Sequence, residues 1–268
     1  MNARRALSKL AVATALVIAG SSSHAADIRF SDFTPLPSSA GPTPDEALPL
    51  TLGNPAFLQA SIADRESQID ASAPNSGNWD MNAVNESGVA VQGRYLFTVF
   101  ETGQAGVQRH DLWTGATETV WYSPEPGGHV AFDASYWTPW GTLITAEESW
   151  ETAAGGSDSP YGRLFELNNP LTAPGVLEPL TAGSNDGADF VHRNVVPRTS
   201  HEGIQFDRRG HMYFIDELNG GNVYKYVPAA DYEAVKAGNA DYFAAGQTFV
   251  LRVGDGNTPN ATGPYAWV

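Results

Sequence analysis

Gly141-Thr142-Leu143-Ile144-Thr145-Ala146-Glu147-Glu148 is an uncharged run, rich in β-branched and apolar residues, that ends in two acids. After a loop over Ala153–Pro160 the chain returns as Gly162-Arg163-Leu164-Phe165-Glu166-Leu167, closed by Pro170. Composition of this kind, bounded by glycine and proline, predicts strands. The same unit recurs downstream. His211-Met212-Tyr213-Phe214-Ile215-Asp216-Glu217 ends in acids, Gly220-Gly221 turns the chain, and Asn222-Val223-Tyr224-Lys225-Tyr226-Val227-Pro228 pairs back. Imperfect repetition of hairpin units is the signature of an all-β, β-propeller-like fold. About 70 residues separate the two units, more than the ~40–50 usual for a propeller blade.

Working outward, Arg94–Phe100, Val107–Leu112, Glu118–Tyr122, His201–Asp207 and Phe249–Val253 also read as strands, with Trp113-Thr114-Gly115 and Arg208-Arg209-Gly210 as turns. One short helix is predicted within Asp231–Ala245, capped by Asp231. Residues 26–88 carry many prolines, serines and asparagines and read as an irregular lead-in; residues 64–88 are read as loop. The propeller-like domain is expected over residues 89–268.

At the N-terminus, Arg4, Arg5 and Lys9 precede an apolar run from Leu10 to Ala19, and Ser23-His24-Ala25 sets small residues at a cleavage site. These are the three parts of a signal peptide, here residues 1–25, and they predict a periplasmic or secreted protein beginning at Ala26. The Arg4-Arg5 pair also suits twin-arginine export.

The formal net charge is −15, with 30 acidic residues against 15 Lys and Arg. Loss of residues 1–25 would make the protein more negative still. This balance argues against nucleic acid, whose phosphates must be met by cations, and against an anionic membrane. It leaves two uses for the acids: solubility, or the binding of hard cations that prefer oxygen ligands. The chain has no cysteine, so it has no disulfide, thiolate metal site or cysteine nucleophile.

Glu147, Glu148, Asp216 and Glu217 each close a predicted strand before a loop, and Glu202 opens another. In a propeller such strand ends gather on one face, and converging carboxylates repel one another unless a cation lies among them. That pattern predicts a metal site, against the plainer reading that the acids are solvated loop residues.

The stretch Thr138-Pro139-Trp140-Gly141-Thr142-Leu143-Ile144-Thr145-Ala146-Glu147-Glu148, then Pro197-Arg198-Thr199-Ser200-His201-Glu202, then Tyr213–Glu217 with Val223–Pro228, resembles the PhoX-type secreted alkaline phosphatases in content and order over roughly residues 88–256. The resemblance implies an exported β-propeller that hydrolyses phosphate monoesters with ferric iron and calcium, held by glutamates, aspartates and one cysteine. Glu147, Glu148, Glu202, Asp216 and Glu217 match the family's acidic segments. Asp133 lies where the family's cysteine is expected, and an oxygen ligand there favours calcium or a different metal charge state. On this reading the partner is a phosphorylated small molecule, Arg198 would clamp the phosphate, and His201 would assist the leaving group or orient Glu202. A monomer is expected. The family continues beyond Val268, so the propeller is expected to be incomplete here. Three alternatives stand beside this one, the last an inert fragment of a longer protein. The first is a calcium-stabilised propeller that binds without catalysis. The second is a lactone or ester hydrolase on a similar propeller.

Overall fold

The computed structural model describes residues 35–41, 48–53, 57–63, 77–149, 159–176, 185, 187–218, 220–258 and 261–268. Residues 1–25, read as a signal peptide, lie outside these. Contacts divide the chain into two units, Met1–Ala60 and Ser61–Val268. In the first, the Gln59 side chain closes a loop by accepting from the backbone N–H of Leu50 (3.1 Å) and donating to its carbonyl.

The second unit is almost wholly β. Its described residues form thirteen strands: β1 (Trp79–Val84), β2 (Tyr95–Phe100), β3 (Gly106–Asp111), β4 (Thr117–Tyr122), β5 (Phe132–Trp137), β6 (Leu143–Glu147), β7 (Leu164–Leu167), β8 (Phe190–His192), β9 (His201–Phe206), β10 (Met212–Asp216), β11 (Val223–Pro228), β12 (Gly246–Val253) and β13 (Tyr265–Trp267). They form three antiparallel meanders, ordered β1-β2-β3-β4, β5-β6-β7-β8 and β9-β10-β11-β12-β13. The described residues show no closed ring of sheets. Among the described residues, the helix is the short α1 (Tyr232–Lys236), whose cap Asp231 accepts from the N–H of Ala234. Among the described residues no helix is long and apolar enough to cross a membrane.

The middle sheet is buried on both faces. Towards the first sheet, Phe132, Trp137, Leu143, Phe165 and Leu167 pack on Phe97, Val99, Val107, Val120 and Trp121. Towards the third, Ala134, Ile144, Ala146 and Leu164 pack on Ile204, Met212, Phe214 and Tyr226. This explains why β6 and β7 read as continuous apolar runs instead of alternating: neither face meets water. It also explains the long spacing between the two sequence units. They are the β6–β7 and β10–β11 hairpins of successive sheets, and β8, β9 and their loops lie between them.

Two expectations are corrected. Residues 79–84, read as loop, form β1, which pairs antiparallel with β2. Phe132–Trp137, left without an element, forms β5. Both strands are polar in part, and pairing with an apolar neighbour overrides their weak propensity.

The Thr138–Thr142 segment is the β5–β6 turn. The N–H of Thr138 donates to the carbonyl of Thr142 (2.8 Å), and the Thr142 N–H donates to the Thr138 hydroxyl (2.9 Å). Gly141 sits at φ +90, with the Gly88 carbonyl oxygen 2.9 Å from where a Cβ would stand, so only glycine fits without strain. Trp140 stacks on Tyr242 with centroids 4.6 Å apart and donates to Glu166 (2.8 Å). The first five residues of the motif that carries most of the resemblance, Thr138–Thr142, are therefore a structural turn. Four residues of strand, roughly 13 Å at ~3.3 Å each, separate it from the acids.

Candidate metal centre

β6 and β10 end at Glu147 and Asp216, and each is followed by a second acid, Glu148 and Glu217. Consecutive residues of an extended chain point to opposite sides, so within each pair only one acid can turn inward. In both pairs it is the second.

Ligand oxygens of Asp133, Glu148 and Glu217 lie within 4.8 Å of one another. Asp133 is on β5 and is only 4% exposed; Glu148 is 6% exposed, and Glu217 is open to solvent. The carboxylates of Asp80 on β1 and Glu202 on β9 are within hydrogen-bonding reach of Asp133, and that of Glu101 is within reach of Glu148. The Oδ1 of Asp133 is buried without a donor. Its neighbours are acceptors like itself, and two carboxylates form a hydrogen bond only when one holds a proton.

Burial first, then the charges of Asp80 and Glu202, push Asp133 up to about 8. Burial first, then Glu217, Glu101 and Asp133, push Glu148 up to about 9. Glu101 is raised as well, by burial and by Asp80. Such a group of carboxylates takes up protons or holds a cation.

Glu147 and Asp216, expected as ligands, lie outside this group of three, and both accept hydrogen bonds from the protein. Glu147 is fully buried; Arg163 donates to it through Nε (2.7 Å) and Nη2 (2.5 Å), and the N–H of Val130 donates to it at 3.3 Å. The other N–H contact of Arg163 Nη2 reaches the Gly128 carbonyl (2.8 Å). This pair braces residues 128–130, the approach to Asp133. Asp216 accepts from the N–H groups of Ser200 (3.1 Å) and Leu218 (3.2 Å), which ties the entry of β9 to the exit of β10.

The two expected catalytic residues, His201 and Arg198, are not among the three acids whose oxygens converge. His201 is fully buried, its ring 5.2 Å from that of Phe214, and burial holds its pKa down to about 4. His201 directly precedes Glu202 at the start of β9. Arg198 is exposed and donates to the carbonyls of Pro160 and Tyr161.

Reading the residues alone missed Asp80 and Glu101. The signal was present: Phe97-Thr98-Val99-Phe100-Glu101, followed by Gly103, is the same strand, acid and glycine sequence as the two recognised units.

Beyond the acids, the edge strands β1, β5 and β9 line a groove of about 360 Å³ that includes Asn82, Glu86, Ser135, Tyr136 and Gln205. A separate cavity of about 420 Å³ touches Trp140, Glu166, Arg193 and Asp241. Arg193 there pairs with both Glu166 and Asp241, so its charges satisfy one another and it is a packing feature.

Every donor in the cluster is a carboxylate oxygen. A hard cation that takes six to eight oxygens fits that set, and the buried, donorless oxygen of Asp133 gives it a ligand with no other partner.

A family model described as alkaline phosphatase PhoX matches residues 133–268. It begins at the Asp133 position and spans the second and third sheets. No curated protein matches the chain.

Proposed function

The chain belongs to the alkaline phosphatase PhoX family, and from that premise we propose that it is an exported, metal-dependent hydrolase of phosphate monoesters. The observation that carries the reading is the convergence of Asp133, Glu148 and Glu217 within 4.8 Å around a buried carboxylate oxygen that lacks a donor. These three, with Glu202, would hold the metal. Calcium is the proposed ion, because the donors are all oxygen and the chain has no thiolate. When bound, the ion supplies positive charge to the oxygens of the phosphoryl group.

The rest falls to the chain's own residues. Glu147 and Arg163 hold the turn that presents Asp133. Asp216 holds the corner that presents Glu202 and Glu217. The packing of His201 against Phe214 fixes the start of β9. Arg198, exposed and permanently charged, is proposed as the phosphate clamp, since a planar guanidinium bridges two phosphate oxygens. The three meanders are proposed to be successive blades of a β-propeller whose innermost strands are β1, β5 and β9. Export rests on the basic head, apolar run and small-residue site of residues 1–25.

The all-oxygen donor set also favours a second reading, a calcium site that stabilises a binding protein without turnover. Elemental analysis of the purified protein, joined to a chromogenic phosphomonoester assay on the wild type and Glu148→Gln, separates the two. Joint loss of metal and hydrolysis in the variant supports the enzyme. Stoichiometric calcium with no hydrolysis in the wild type supports the binding reading. No bound metal at all defeats both.

A further inference from the structure

The second and third sheets carry their acids on the same structural corner, and the first sheet has that corner too. In each sheet the first residue of the innermost strand pairs with the last residue of the next: Trp79 with Phe100, Phe132 with Glu147, His201 with Asp216. In each, the innermost strand then advances three residues while its partner advances two, so a β-bulge follows at once: Trp79 to Asn82, Phe132 to Ser135, His201 to Ile204. A bulge of this kind re-aims a side chain. The second residue of the innermost strand, inside the bulge, is Asp80, Asp133 or Glu202. The residue just past the end of the next strand is Glu101, Glu148 or Glu217. The backbone N–H of that second acid donates in every case to the carbonyl of the residue before the innermost strand: Glu101 to Asn78 (3.0 Å), Glu148 to Ala131 (2.9 Å) and Glu217 to Ser200 (3.0 Å).

We infer that Asp80 and Glu101 are cation ligands of the same centre, so that each of the three sheets supplies one carboxylate pair from one repeated corner. The inference rests on the reading that Asp133, Glu148 and Glu217 hold a cation, and it extends the ligand set to a sheet outside the matched family region. The independent observation is the Asp133 side chain, more than nine-tenths buried, whose Oδ1 has no donor although Asp80 and Glu202 reach it from either neighbouring sheet. Acceptor-only groups brought face to face need a positive centre between them. The Asn78 amide donates to the Glu101 carboxylate (2.9 Å) and to its backbone carbonyl (2.8 Å), which fixes this acid at the corner as a ligand must be fixed.

The test uses the full chain after removal of metal with a chelator. Calcium is titrated by calorimetry into the wild type, Asp80→Asn, Glu101→Gln, Asp133→Asn and the exposed control Glu125→Gln. Melting temperature is recorded with and without calcium. The expected result is that Asp80→Asn and Glu101→Gln each weaken calcium binding on the order of tenfold or more and shrink the calcium-induced rise in melting temperature. Without calcium both should melt no lower than the wild type, because a like charge has been removed, so weakened binding would not be misfolding. Glu125→Gln should match the wild type. If Asp133→Asn loses binding while Asp80→Asn and Glu101→Gln keep wild-type affinity, the inference falls and the metal reading stands. If the wild type binds no calcium, both fall.

Discussion

Replacing Arg163 with methionine isolates the support beneath the centre. Glu147 is fully buried, and its strong donors both come from the Arg163 guanidinium, at 2.5 and 2.7 Å; its two backbone N–H contacts are longer, at 3.2 and 3.3 Å. Removing one member of a buried ion pair costs about 3–5 kcal/mol, because the other is left charged and unsolvated. The Arg163 side chain is 19% exposed, so part of its field is already screened and the lower figure, about 3 kcal/mol, is expected. With a urea m-value of about 2 kcal/mol/M, the unfolding midpoint should fall by about 1.5 M. Replacing the pair by apolar residues, Glu147→Leu with Arg163→Met, should recover most of that loss, since apolar substitution of a buried pair is often neutral. The assay is urea unfolding in chelator, followed by fluorescence and circular dichroism to check that one transition is seen, and analysed as a double-mutant cycle. The reasoning is refuted if Arg163→Met costs under about 1 kcal/mol, or if the double variant is no more stable than the single one. A second arm tests the reassignment of Glu147. Glu147→Gln should retain calcium binding, because its oxygens serve Arg163; loss of binding in a well-folded variant would restore Glu147 as a ligand.

Two further outcomes follow from the packing. His110 is 3% exposed, contacts the hydroxyls of Thr98 (3.0 Å) and Thr117 (2.9 Å), and is held by burial at a pKa of about 4. A lowered folded-state value means that its contribution is complete above the ordinary histidine value of about 6.5 and is lost as pH falls towards 4, with about 2 kcal/mol gone by pH 5; His110→Gln should flatten this part of the stability–pH curve, and an unchanged slope would contradict the assignment. Gly141→Ala should cost about 1–3 kcal/mol, because a side chain is forced into φ +90 against the Gly88 carbonyl, and a melting temperature equal to the wild type would show that the turn relaxes.

The amino-acid sequence by itself determined the all-β class and most of the hairpins. Strands such as Tyr95–Phe100 and Leu143–Glu147 face packed sheets, so their apolar, β-branched composition records their environment directly. It also determined the cysteine-free, acidic character and the recurrence of a strand, an acid and a glycine. The first strands of the first two sheets were least legible. β1 and β5 mix acids and polar residues with aromatics, because part of each lines the groove between sheets and the acid-bearing bulge breaks the alternation that marks a strand. For the same reason a run such as Glu147-Glu148 names two candidates without saying which one turns inward. Only the tertiary structure decided that. The parity of the strand sends Glu147 to Arg163 and Glu148 to the centre, and the corner shared by all three sheets brings Asp80 and Glu101 to residues far away in the chain. Which carboxylates meet depends on register and bulge position in three separate sheets, and pairing across such distances is a property of the folded chain that no local stretch encodes.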